Sequence, residues 1–134
     1  MNQDLFNAIS KDNRKMVIEI IKSDIKKNED VVLLLTETMI PAMRVIGDRF
    51  SKNEIFVPEM LIAARAMQAG LTLVEPLLVK SGHTPIAKVA IGTVKGDLHD
   101  IGKNLVAMML KGAGFEVMDL GVDCDKIKFE KAVN

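Results

Sequence analysis

Residues 88–121 read KVAIGTVKGDLHDIGKNLVAMMLKGAGFEVMDLG, and the fold turns on how this stretch divides. Lys88 to Val94 is a short β-branched run without helical periodicity, which reads as a buried strand. Gly96 to Asp100 is a polar loop. Ile101 to Ala113 then recovers helical spacing, with Leu105, Val106, Met109 and Leu110 turned inward, and Gly112 or Gly114 ends it. Phe115 to Gly121 reads as a second strand, and Asp125 to Asn134 as the start of another helix. The order βαβα is the opening of a doubly wound parallel fold.

Working back from this stretch, Ser81-Gly82-His83-Thr84-Pro85 has the composition of a linker. Before it the period is helical throughout. Leu5, Phe6 and Ile9 form one short stripe, and Asp12 is placed to cap a second helix carrying Met16, Val17, Ile20 and Ile21. Lys26, Lys27 and Asn28 close that helix. A third begins near Glu29-Asp30 and runs through Met39 and Ile40, where Pro41 either kinks it or starts a new helix through Ala42, Met43, Val45 and Ile46. Pro58 suits the first turn of a long helix reaching about Val79. The expected class is α plus α/β: a four- or five-helix bundle over 1–82, then the start of a parallel α/β domain over 86–134, truncated after two βα units. Two strands and fewer than two full helices do not cover both faces of a parallel sheet. The chain therefore reads as a piece of a longer protein, or as one that completes its sheet with a second copy through the unfinished edge.

Composition narrows the function. Among 134 residues, Lys+Arg is 18 and Asp+Glu is 18, so nothing draws the chain toward nucleic acid or an anionic membrane. Trp and Tyr are absent and Phe numbers five, which argues against base-stacking platforms. No unbroken apolar run approaches the roughly 18–20 residues of a membrane span, and no secretory signal is visible at the start. The single cysteine, Cys124, fits a reducing cytoplasm.

The loop Gly96-Asp97-Leu98-His99-Asp100-Ile101-Gly102 follows the first strand and opens a helix, where ligands gather in open α/β sheets. Asp97 stands two residues before His99, close enough for its carboxylate to hold one ring nitrogen and leave the other as a metal ligand. Gly102 permits close backbone approach. The spacing of Gly92, Gly96 and Gly102 fits neither a phosphate loop nor a dinucleotide fingerprint. On residue types alone, a metal-ligating loop and a solvated histidine beside a helix-capping aspartate both remain open.

GDLHDIGKNLV (96–106) resembles the DxHxxG signature of the cobalamin-binding domain family, shared by corrinoid methyl-carrier proteins and cobalamin-dependent methionine synthase. The longer run VAIGTVKGDLHDIGKNLVAMMLKGAGFEVMDLGVD (89–123) is similar to that family's first strand, ligand loop, helix and second strand. GDRFSKNEIFVPEMLIAARAM (47–67) is similar to its helical cap.

The resemblance implies a Rossmann- or flavodoxin-like domain beneath that cap, with cobalamin as cofactor. On this pattern His99 replaces the cofactor's own base as the lower cobalt ligand and Asp97 tunes it. Gly102 lies near the displaced nucleotide tail, and Gly121 borders its slot. Phe50 and Val57 cover the upper face, with Met60 and Leu61 beside them. The implied function is a methyl carrier, a methyltransferase component rather than a complete enzyme. It serves a substrate-specific methyltransferase and an acceptor methyltransferase. The later strands that complete the tail pocket in the family do not lie in these residues, which implies weak cobalamin binding or none. The competing expectation is a degenerate cobalamin-binding or sensor fragment that docks other proteins.

Overall fold

Side-chain caps define where the first helices begin. In the computed structural model, which describes residues 1–11 and 13–134, the Asn2 side chain accepts from Leu5 N–H at 3.0 Å and starts α1, Gln3–Ser10. Asn13 does the same for α2, Arg14–Lys26, accepting from Met16 N–H at 3.0 Å. The cap expected at Asp12 lies outside the described residues. Asn28, at φ 58°, turns the chain in the left-handed region that asparagine tolerates. Asp30 then caps α3, Val31–Leu33, through Val32 N–H at 2.9 Å and Leu33 N–H at 3.3 Å.

Pro41 stands in the first turn of a new helix, one of the two arrangements expected of it. Leu34–Met39 widens into a π-helical turn that runs directly into α4, Ile40–Ser51. Ile40 N–H donates to Leu35 O, five residues back, instead of four. Proline offers no N–H and its ring crowds the carbonyl four residues earlier. The wider turn absorbs both faults without breaking the run.

α5, Val57–Lys80, is 24 residues long and has Pro58 in its first turn. Glu59 Oε2 accepts from Phe56 N–H at 3.0 Å, satisfying a donor ahead of the helix. Its 18-residue window of mean hydropathy 1.3 meets the length and composition of a membrane span. That corrects the expectation from unbroken apolar runs, because a few scattered charges interrupt the run without lowering the mean enough. Of that window, 44% is buried inside the protein. Met60, Ala63, Met67, Gly70 and Val74 of α5 face the bundle core, which also holds Leu5, Ile9, Val17, Ile21 and Met39. Met16 and Val45, expected on apolar stripes, are exposed.

Helix α5 meets α2 at Gly70. A Cβ built there would stand 2.8 Å from Ile21 Cδ1, 2.9 Å from Met39 Cε and 3.1 Å from Val17 Cγ1. Glycine costs about 1 kcal/mol relative to alanine inside a helix. Here it lets two helices and the π turn close on one another.

The chain divides into Met1–Thr84 and Pro85–Asn134. The second unit orders β1 (Lys88–Ile91), α6 (Ile101–Gly112), β2 (Glu116–Asp119) and α7 (Lys126–Val133). The strands pair in parallel, Lys88 opposite Glu116 and Ile91 opposite Asp119. Beyond them Val94 forms one further parallel bridge with Cys124. The strand expected to be buried is not: Lys88 is exposed and Val89 to Ile91 are half-buried. On α6 Ala107 and Gly112 are buried, whereas Val106 faces out. Two paired strands give the helix too little surface to cover a broad apolar stripe.

Substitution Gly70→Val forces branched methyls into this contact and is expected to destabilise the helical unit by about 1–3 kcal/mol through overpacking. Urea unfolding followed by helical circular dichroism measures it as a lower midpoint.

Candidate functional site

The loop after β1 is organised by hydrogen bonds rather than by burial. Asp97 Oδ1 accepts from His99 N–H at 2.9 Å and lies 2.6 Å from His99 Nδ1. An ionised carboxylate only accepts, so Nδ1 carries the hydrogen and Nε2 of the neutral ring keeps its lone pair. The hydrogen bonds from His99 N–H and from its ring hold the Asp97 carboxyl below its usual range. The imidazole itself is 98% exposed. Among the described residues, nothing bonds Nε2.

Behind the loop, the buried Thr93 hydroxyl donates to His99 O at 2.7 Å. Thr93 N–H donates to Gly121 O at 2.9 Å, and Cys124 N–H to Thr93 O at 2.8 Å. The first turn of α6 is pinned to the end of β2 by Lys103. Its ammonium reaches Asp119 at 2.6 and 2.8 Å, and its side chain is only 9% exposed. Asp119 also accepts from Gly121 N–H at 2.8 Å. The Lys103 bond first, and the Gly121 bond second, hold the Asp119 carboxyl low.

Gly102 and Gly121 are open positions. A Cβ at either would meet nothing within 4 Å. Gly121 has φ 85°, so its backbone favours glycine, but Gly102 sits in ordinary helix. Among the described residues, no neighbour accounts for glycine at Gly102. Phe50 and Val57 are 37% and 46% exposed at the end of α4 and the start of α5. Met60 is buried in the bundle core and Leu61 is half-buried. These four belong to the first unit; Asp97, His99, Gly102 and Gly121 belong to the second.

Thr93, Lys103, Asp119 and Asp123 take part in this network and were not singled out by reading the sequence. A signal for three of them was present. Polar residues that directly follow parallel strands share one end of the sheet, so Thr93 past β1 and Asp119 and Asp123 around the end of β2 were predictable neighbours.

Residues 1–75 and 87–134 each match a family described as "B12 binding domain". A trimethylamine corrinoid protein of Methanosarcina acetivorans is 37% identical over 119 residues, 87% of this chain and 55% of the relative. A corrinoid protein of Desulfitobacterium hafniense is 33% identical over 123 residues, 90% of this chain and 57% of the relative. The crystal structure of a methanol:cobalamin methyltransferase complex from Methanosarcina barkeri superposes with a TM-score of 0.80 at 29% identity, covering 97% of this chain and 50% of that one. The chain thus spans little more than half the length of the curated relatives it matches.

The Lys103–Asp119 pair has a defined pH signature. Because the folded carboxyl ionises below its ordinary value of 3.8, its stabilisation is present above that value and is lost as pH falls through the lowered one. Asp119→Asn is expected to lower the urea midpoint of the second unit near neutral pH and to flatten its decline on acidification. Paired titrations of unfolding in the two proteins check this.

Proposed function

The chain belongs to the B12 binding domain family, and from that premise we propose that it is the cofactor-holding portion of a corrinoid methyl carrier, with His99 as the residue that would hold its cobalt. The observation that carries this reading is the Asp97–His99 pair, which fixes one ring nitrogen at 2.6 Å and leaves the other exposed to solvent. The residues present fit the group. A large planar macrocycle can approach only a ring nitrogen that stands clear of its own fold, and the space over Gly102 is open to the displaced tail.

When bound, cobalamin supplies a cobalt ion able to accept and release a methyl group. This chain's own residues hold and orient. Asp97 keeps the hydrogen on Nδ1 and leaves the opposite nitrogen as the acceptor. Gly102 and Gly121 leave room for the tail, and on the helical unit the exposed Phe50 and Val57 are apolar side chains available to exclude water, whereas Met60 is turned into the bundle core. On this reading the chain acts as a carrier between two methyltransferases, one specific for the methyl donor and one for the acceptor. Kinship with trimethylamine corrinoid proteins and the likeness to a methyltransferase complex support such partners.

Hydroxocobalamin titrated in large excess, to overcome weak binding, is expected to give a histidine-ligated visible spectrum that His99→Ala abolishes. Binding and spectrum unaffected by that substitution would remove His99 from the role. Asp97→Asn should weaken affinity about 10–100-fold, the usual effect of losing an outer-shell partner. Gly102→Leu should leave the circular dichroism of the free chain unchanged while reducing cobalamin binding. Equal binding in a titration would show that the tail passes elsewhere.

A further inference from the structure

The ligand loop is held from one side by a residue in a costly backbone conformation. Asp123, between β2 and α7, has φ 53°. That left-handed region is uncommon for any residue but glycine, and aspartate is one of the few side chains that enter it. From there it bonds the loop twice. Its Oδ1 accepts from Gly96 N–H at 2.8 Å, and its own N–H donates to Asp97 O at 3.0 Å. On either side of it, Gly121 O and Cys124 N–H are bonded to Thr93, so Val122 and Asp123 bow outward over the loop from anchored ends.

These contacts converge on one residue. His99 is fixed at its carbonyl by Thr93 and at both its N–H and Nδ1 by Asp97. Asp97 is itself fixed at its carbonyl by Asp123, and Gly96, just before it, is fixed at its N–H. An imidazole 98% exposed gets no orientation from packing. Its direction is set entirely by the hydrogen bonds of its own loop.

We infer that Asp123 is a positioning residue for His99, acting through Gly96 and Asp97 to hold the imidazole in its ligating direction before any cofactor arrives. This rests on the reading of His99 as the cobalt-holding residue, and the test separates the two. A turn residue with no such role would be replaceable by glycine, which enters the same backbone region more easily. A positioning residue would not, because glycine lacks the acceptor for Gly96 N–H.

Three chains are compared: unmodified, Asp123→Gly and Asp123→Asn. Backbone amide order is measured in the free state. Binding is then titrated with diaquocobinamide, a corrinoid without a nucleotide base, so that imidazole ligation shows directly in the visible spectrum. In Asp123→Gly, order parameters from Gly96 to His99 should drop from about 0.85 to below about 0.6 while strand amides at Val89 and Val117 hold theirs. Its imidazole-ligated complex should weaken about 10–100-fold. Asp123→Asn keeps a carbonyl acceptor and tolerates the same φ, so it should restore both. Unmodified affinity in Asp123→Gly overturns the inference, as does loss of order at Val89 and Val117 together with the loop. If the unmodified chain gives no imidazole-ligated spectrum, the reading of His99 fails. The order parameters still decide the clamp, which unchanged values at Gly96 and Asp97 in Asp123→Gly would refute.

Discussion

Parallel pairing of β1 with β2 is the constraint from which the site follows. Parallel strands cannot be joined by a tight turn, so a helix must carry the chain back, and the ends of both strands emerge at the same edge. The register places Ile91 beside Asp119. Whatever follows Ile91 must then share space with whatever follows Asp119. The loop bearing His99 and the segment bearing Gly121 and Asp123 are neighbours for this reason, although more than twenty positions separate them in the chain. An antiparallel hairpin of the same residues would have sent the two to opposite ends.

The site combines an exposed working group with a restrained support. Burial would hold the imidazole firmly but would close off Nε2. Here the ring stands in solvent while the backbone beneath it is tied down by the Thr93 hydroxyl, the Asp97 carboxylate and the segment after β2. Lys103 extends the restraint into α6. Its nearly buried ammonium meets a carboxylate that is itself partly exposed, and that carboxylate also takes the Gly121 N–H. One ion pair thus ties the start of the helix to the backbone where β2 ends.

Much of this was legible from letters because it depends on local chemistry. The alternation between helical and strand periods marked the two units, and the contact between Asp97 and His99 needs only their spacing of two. What stayed hidden was set by partners distant in sequence. The DxHxxG signature picks out Gly102, but its sequence neighbours do not show that the space around it is open. The exposure of β1 depends on how many strands cover it, which no window of residues reports. Met60 has the apolar character expected of a lid residue, yet it turns inward because position 60 shares a face of α5 with Ala63, Ala64 and Met67. Pro41 offered a kink or a new helix; the π turn that leads into the new helix requires knowing that Leu34, Leu35, Met39 and Met43 all find room in the core.

That wide turn has a consequence for the helical unit as a whole. It stores one surplus residue between α3 and α4, taken up by the wider winding so that α4 keeps the rotational phase of the segment before it. Deleting a single amino acid between 34 and 39 would rewind the turn to ordinary pitch and leave α4 close to its present phase, with Met43 and Ile46 still facing the core. The cost of such a deletion is local, because the Pro41 ring would meet a carbonyl it now avoids. A deletion inside α4 has no such slack and would turn every helical residue beyond it by about 100°.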